Sequence, residues 1–216
     1  MSVRLVIVGG GEHARVVAEA ARSAGHDVIG FVDPQRCAKM TDQLGLAWLG
    51  NDDALTGLPD VSAVLGIGAV DVGPLRRRIV ERLNPTVASW HPVVHASAWV
   101  SPSATVGEGA VVMAGAVVNA GARIGRHTVV NTGVVVEHDV VLGDFAQLAP
   151  GVTIGGGVVV GADAFVGLGA SVRDHITIGA GALVGMGAVL TVDIPNGARV
   201  RAPLARLVPT KTNPKG

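Results

Sequence analysis

From Val94 to Leu190 an aliphatic residue recurs at every sixth position, seventeen times without exception. Four places after each stands Ala, Val, Thr or Ile, as at Ala110, Thr128 and Val140, and the residue directly after the aliphatic is often glycine, as at Gly107, Gly125, Gly143, Gly155 and Gly161. A period of six fits neither the 3.6 of an α-helix nor the 2 of an amphipathic strand. It is the signature of a parallel β-helix, in which each hexad supplies one short strand and one corner. Three hexads close a coil of eighteen residues, so the segment predicts between five and six coils. At about 4.8 Å per strand spacing these stack to about 27 Å. Val and Ile face inward in ladders, small residues fill the corners, and most Gly and Val here are scaffold.

Composition agrees. The chain of 216 residues holds 31 Gly and no Tyr, with only three Phe and three Trp, so its core must be aliphatic and regular. Seventeen basic and seventeen acidic residues leave no net charge, which gives nucleic acid no bulk electrostatic footing. The single cysteine, Cys37, cannot form an internal disulfide, and a reducing, cytoplasmic setting is expected. The apolar run Val3 to Val8 is too short to span a membrane and lacks a signal-cleavage pattern; it reads as a buried first strand.

The first half changes period. LVIVGGGEHARVVAEAARSAG reads as strand, glycine turn and helix; DVIGFVD is a second strand ending at Asp33; VSAVLGIG is a third; VGPLRRRIVERL is a helix with Pro74 near its start. Strands alternating with helices predict a small Rossmann-like parallel α/β domain over residues 1–86, a β-helix over 87–194, and a basic, Pro-rich tail over 195–216. Residues 87–92 are expected to join the two domains. Gly9-Gly10-Gly11-Glu12-His13-Ala14 fits G-x-G-x-x-A after a strand. There glycines admit phosphate to the backbone and the helix N-terminus attracts its charge. A dinucleotide dehydrogenase is a rival reading, but too little chain precedes the hexads for six strands. A tight turn needed only for packing would look the same.

Inside the aliphatic repeat stand three adjacent polar residues, Glu137, His138 and Asp139. With Val136 inward, they occupy a corner and turn outward. Residues eighteen apart stack, so Gly155, Gly156 and Gly157 lie above them, a floor without side chains that leaves room for a substrate. A histidine beside a carboxylate can take a proton near neutral pH while the acid fixes its tautomer. Most outward polar residues on a β-helix are merely solvated. His127, His138 and His175 share no stacked column, so a metal site is not expected. His91 and His95, where the prism begins, read as structural.

Together, the GGGEHARVV turn, the GFVD strand end and a hexapeptide prism carrying VEHDVVLGDF resemble the sialic-acid O-acetyltransferase and nucleotide-sugar N-acetyltransferase family, over nearly the whole chain. The resemblance implies a left-handed β-helix, assembled as a homotrimer with acetyl-CoA between neighbouring prisms and a nucleotide-sugar on the α/β domain. It places Gly9, Gly11 and His13 at the diphosphate and sugar, Asp33 at the nucleobase, and Gly68 at the border of that pocket. His138 matches the general base, Asp139 the acid that follows it (usually Glu), and Asn131 a polar lining position. Gln147 stands where the family often has a second histidine near the acetyl group, and an amide donates but does not titrate. Gly156, Gly161 and Gly179 would meet the cofactor through the backbone. Arg199, with the tail's Arg201, Arg206, Lys211 and Lys215, would offer a basic rim to CoA phosphates; a merely solvated, disordered tail is the alternative reading. The closing motif is altered to Arg201-Ala202-Pro203-Leu204. The expected activity is direct N-acetylation of a nucleotide-linked amino sugar, without metal or acyl-enzyme. A sugar O-acetyltransferase, a metal-dependent hydratase on the same prism, and a non-catalytic binding prism remain alternatives.

Overall fold

A computed structural model describes residues 2–58, 60–68 and 73–203. Strands β1 (Arg4–Val8), β2 (Asp27–Val32) and β3 (Ser62–Leu65) form a parallel sheet in the order β2-β1-β3. Strand β1 is central, and its Leu5, Val6, Ile7 and Val8 are buried, which is why the sequence shows a continuous apolar run rather than alternation. Helix α1 (Glu12–Ser23) buries Ala14, Val17, Ala18 and Ala21, one stripe at helical spacing. The small side chains let the helix lie close to the sheet. A Cβ on Gly66, just past β3, would fall 2.6 Å from Ile7 and 2.8 Å from Ala14.

Helix α2 (Leu75–Leu83) begins after Pro74, as expected. Val72, in the run read as its lead-in, lies outside the described residues. The joining segment also takes part in the sheet. Trp90 pairs with Ala63, so the connecting segment extends one sheet edge, and Trp48 does the same for the other edge beside Phe31. Backbone groups at both edges gain partners without forming recognisable strands.

The prism follows the six-residue period. Eighteen two-residue strands run from β4 (Val93–Val94) to β21 (Arg199–Val200), in three parallel sheets of seven, six and five strands. Val129 pairs with Val111 below and Gln147 above, which fixes the coil at eighteen residues. The ladder Val112, Val130, Leu148, Val166, Val184 is fully buried. In the order the chain meets them, the first face starts at Val93, the second at Trp99 and the third at Thr105. The corner after the first face contains Asn131, that after the second His138, and that after the third Phe145.

The α/β domain sits on the lower coils of the first face. Val93, Val111 and Met113 share its core with Leu5, Ile7 and Ala14. The third corner completes the seam. His127 stacks on Phe145 at 4.9 Å and meets Trp90 edge-on at 5.1 Å, while Arg77 pairs with Asp163 at 2.7 Å. His127, Phe145 and Asp163 all have positive φ, between 53° and 62°. That costs a non-glycine residue about 1–2 kcal/mol, and the seam contacts offset it.

Candidate active site

A cleft of about 760 Å³ opens between the glycine turn and the prism. Gly9, Gly11, His13, Asp33 and Gly68 form one wall, and Asn131, Gln147 and Pro150 belong to the other. Six of the expected ligand residues therefore converge there, and Gln147 joins them. The turn is built for this. Gly9 has φ 108° and donates to the Val32 carbonyl at 2.8 Å. A Cβ on Gly10 would press on Phe31 and Asp33, whereas one on Gly11 would meet nothing within 4 Å. Gly11 also caps α1 without a side-chain bond. Nothing in the packing requires glycine at position 11, and an open helix N-terminus suits an anionic group.

Asp33 is engaged structurally. Its Oδ2 accepts from the Gly10 N–H at 2.8 Å and its Oδ1 from the Gln35 N–H at 2.9 Å, so the carboxylate expected to face the nucleobase also braces the glycine turn. His13 is held neutral, its pKa pushed down to about 4 by burial and by the neighbouring Arg76 guanidinium. Its Nε2 is buried and has no protein partner. A ligand polar group would satisfy it.

His138 and Asp139 stand elsewhere. They occupy the second corner, and neither lines the cleft; one prism face, carrying Val135 outward, lies between. There the pair has the expected geometry, with His138 Nδ1 3.0 Å from Asp139 Oδ2. When Nδ1 donates to the carboxylate, Nε2 is left as acceptor. The Asp139 hydrogen bond, then the charges of Asp139 and Glu137, raise the His138 pKa above its ordinary value. Both side chains are exposed, at 58% and 73%.

The bare floor works differently from the sequence reading. A Cβ on Gly156 would fall 2.5 Å from His138 Nε2, so the missing side chain makes room for the imidazole itself rather than for a substrate above it. One coil below, a Cβ on Gly121 would lie 2.6 Å from Asp139 Oδ1. Glycines on both neighbouring coils seat the pair. Asp139 adopts φ 59°, which tips its carboxylate toward the ring from a conformation Asp tolerates better than most residues.

Gly161 and Gly179 are explained by coil stacking: added Cβ atoms would fall 2.4 Å from the Ala180 nitrogen and 2.3 Å from that of Asn196. Arg199 lies on the last strand, exposed, beside Leu183. Arg206, Lys211, Lys215 and Leu204 lie outside the described residues. Among the described residues no three His, Cys, Asp or Glu side chains gather as a metal site, and no helix is long and apolar enough to cross a membrane. Sequence reasoning missed Arg76, which is buried beside His13 at 4% exposure. Its only sequence signal, a run of three arginines, reads as a solvated helix face.

Comparison with known proteins gives these features a context. The PglD N-terminal domain family matches residues 4–83, and the bacterial transferase hexapeptide family, six repeats, matches residues 121–156. No curated protein sequence matches significantly. GDP-perosamine N-acetyltransferase from Caulobacter crescentus, solved with CoA and GDP-perosamine, is 40% identical over 90% of this chain and 91% of that one, with a TM-score of 0.83. The acetyltransferase domain of PglB from Neisseria gonorrhoeae, solved with acetyl coenzyme A, is 34% identical over 92% and 96%, with a TM-score of 0.84. WeeI from Acinetobacter baumannii, at 22% identity and a TM-score of 0.79, shares the fold. Cores, turn and prism thus agree over nearly the full length with enzymes of one kind, and the chain belongs to the nucleotide-sugar N-acetyltransferases of the left-handed β-helix, hexapeptide-repeat family.

Proposed function

We propose that this protein transfers acetyl directly from acetyl-CoA to the amine of a nucleotide-linked amino sugar, in the cytoplasm, with His138 as general base. The observation that carries this reading is the His138–Asp139 pair, exposed on a prism corner and seated between Gly121 and Gly156. The amine nitrogen attacks the thioester carbonyl, a C–N bond forms, and His138 Nε2 takes the ammonium proton. Collapse of the tetrahedral species breaks the C–S bond, and the imidazolium returns the proton to the departing thiolate. Asp139 holds the ring and stabilises its charge. The nucleotide would lie in the interdomain cleft, its diphosphate near Gly9, Gly11 and His13. Asn131 and Gln147 would present polar groups from the prism side.

Because the base and the cleft occupy different corners of one prism, a working site needs two subunits. The face between them is apolar at Trp99, Val117, Val135 and Val189, with Trp99 and Val189 exposed by 52% and 74%. Covering that face with a second copy in a homotrimer would place one subunit's His138 beside its neighbour's cleft, with acetyl-CoA between the prisms.

The test is acetyl transfer to paired acceptors, GDP-perosamine and its 4-hydroxy counterpart. The amine is expected to react and the hydroxyl not; the reverse would favour the O-acetyltransferase reading. His138→Ala should keep the trimer and both ligands while turning over at least ~100-fold more slowly. A near-normal rate would discard the base assignment.

A further inference from the structure

Arg76, 4% exposed, is not among the residues that line the cleft, but it neighbours His13, which is. Its guanidinium donates from Nε to the Ile67 carbonyl at 2.9 Å, from Nη1 to the Phe145 carbonyl at 3.3 Å and from Nη2 to the His127 carbonyl at 2.6 Å. Asp163, the acid that acts on it electrostatically, bonds to Arg77 instead. A cation buried against three neutral main-chain oxygens, without a bonded carboxylate, carries a desolvation cost. The three oxygens come from separate places. Phe145 and His127 belong to consecutive coils of the prism's third corner, whereas Ile67 belongs to the α/β wall of the cleft.

The contacts continue from Ile67 into the cleft. A Cβ on Gly68 would lie 3.0 Å from the His13 ring, so Gly68, next to Ile67, packs directly against the imidazole whose Nε2 has no partner. Ile67 in turn packs under Gly9, where a Cβ would fall 2.8 Å from its side chain. Fixing the Ile67 carbonyl therefore fixes both the glycine turn and His13 relative to the prism wall with Asn131 and Gln147.

We propose that Arg76 is a positioning residue for the nucleotide: by tying Ile67 to the prism it sets the width of the cleft and the placement of His13, without touching the ligand itself. This rests on the cleft's being the nucleotide site. Lysine keeps the charge, but its donors radiate from one nitrogen and do not span three carbonyls that Arg76 reaches from separate Nε, Nη1 and Nη2 atoms. Full-length protein titrated calorimetrically with GDP and with UDP should bind at least one. Arg76→Lys should weaken that binding at least tenfold and change acetyl-CoA affinity less than twofold. Asp163→Asn, which cuts the neighbouring seam contact, should lower Tm yet leave nucleotide affinity within twofold. Wild-type affinity in Arg76→Lys overturns the proposal. So does an equal loss in Asp163→Asn, or a parallel loss of acetyl-CoA affinity. Hydrogen exchange on the unmodified protein gives a readout that needs no variant: the nucleotide should slow exchange in α2 as well as at Gly9–His13, and unchanged exchange in α2 also overturns it. If the wild type binds neither GDP nor UDP, the nucleotide cleft itself is wrong and this proposal falls with it.

Discussion

Asp139 does two things to His138: it directs Nδ1 and it favours the protonated ring. The second works against a base at low pH, because only the neutral imidazole accepts a proton. The His138 pKa is raised, chiefly by the Asp139 hydrogen bond, so activity should climb with pH through that raised value and level off above it. Asp139→Asn removes the charge. The acidic limb of kcat/KM should move to lower pH, while the plateau falls ~10-fold because the ring is less firmly held and its charge less stabilised. An unmoved limb would mean that another group titrates. His138 and Asp139 were legible because a strict aliphatic repeat makes three adjacent polar residues conspicuous. Arg76 was not. It stands beside Arg77 and Arg78 on one helix, and only packing decides that the first is buried while the last faces water. Phe145 and His127 were equally hidden, since a left-handed corner accepts glycine by default and other residues only when something beyond the corner holds them.

At the scale of the coil, one added methyl group should have opposite consequences at neighbouring glycines. On Gly156 the new Cβ meets the His138 ring first, at 2.5 Å, and a side chain at a corner can swing away. Gly156→Ala should leave thermal stability nearly unchanged and reduce turnover ~10-fold to 100-fold, as expected for a displaced base. On Gly161 the Cβ meets the backbone of Ala180 at 2.4 Å, and backbone cannot move without disturbing the stacking of two coils. Gly161→Ala should therefore cost about 1–3 kcal/mol of stability. Paired melts and initial rates on the two variants check this, and similar losses of stability in both would argue against it. The prism itself was readable from its period because every hexad repeats one environment. The α/β domain was readable as strand, turn and helix, but its edges were not. Trp48 and Trp90 each contribute a single bridge, and one paired residue leaves no periodicity to find.

For the whole molecule, the decisive feature is that one subunit carries the cleft and the proposed base, His138, on corners that do not face each other. If neighbouring subunits complete the site, damage to each half should complement in mixed assemblies. His138→Ala supplies an intact cleft without a base. Gly11→Trp should supply an intact base with an obstructed cleft, since position 11 lines the cleft and has open space around its Cβ. Either variant alone should be nearly inactive. After co-refolding or co-expression in equal amounts, a site works when the cleft comes from the first variant and the base from the second. For random association that is roughly a quarter of all sites in a closed ring. Recovery of about a quarter of wild-type activity is therefore expected, measured against the same variants mixed as preformed oligomers, which should stay inactive. If no activity returns although mixed assemblies form, cleft and base must serve one another within a single chain. Any trimer would then be a matter of stability rather than chemistry, covering the apolar residues of the second face, such as Trp99 and Val189, for their own sake.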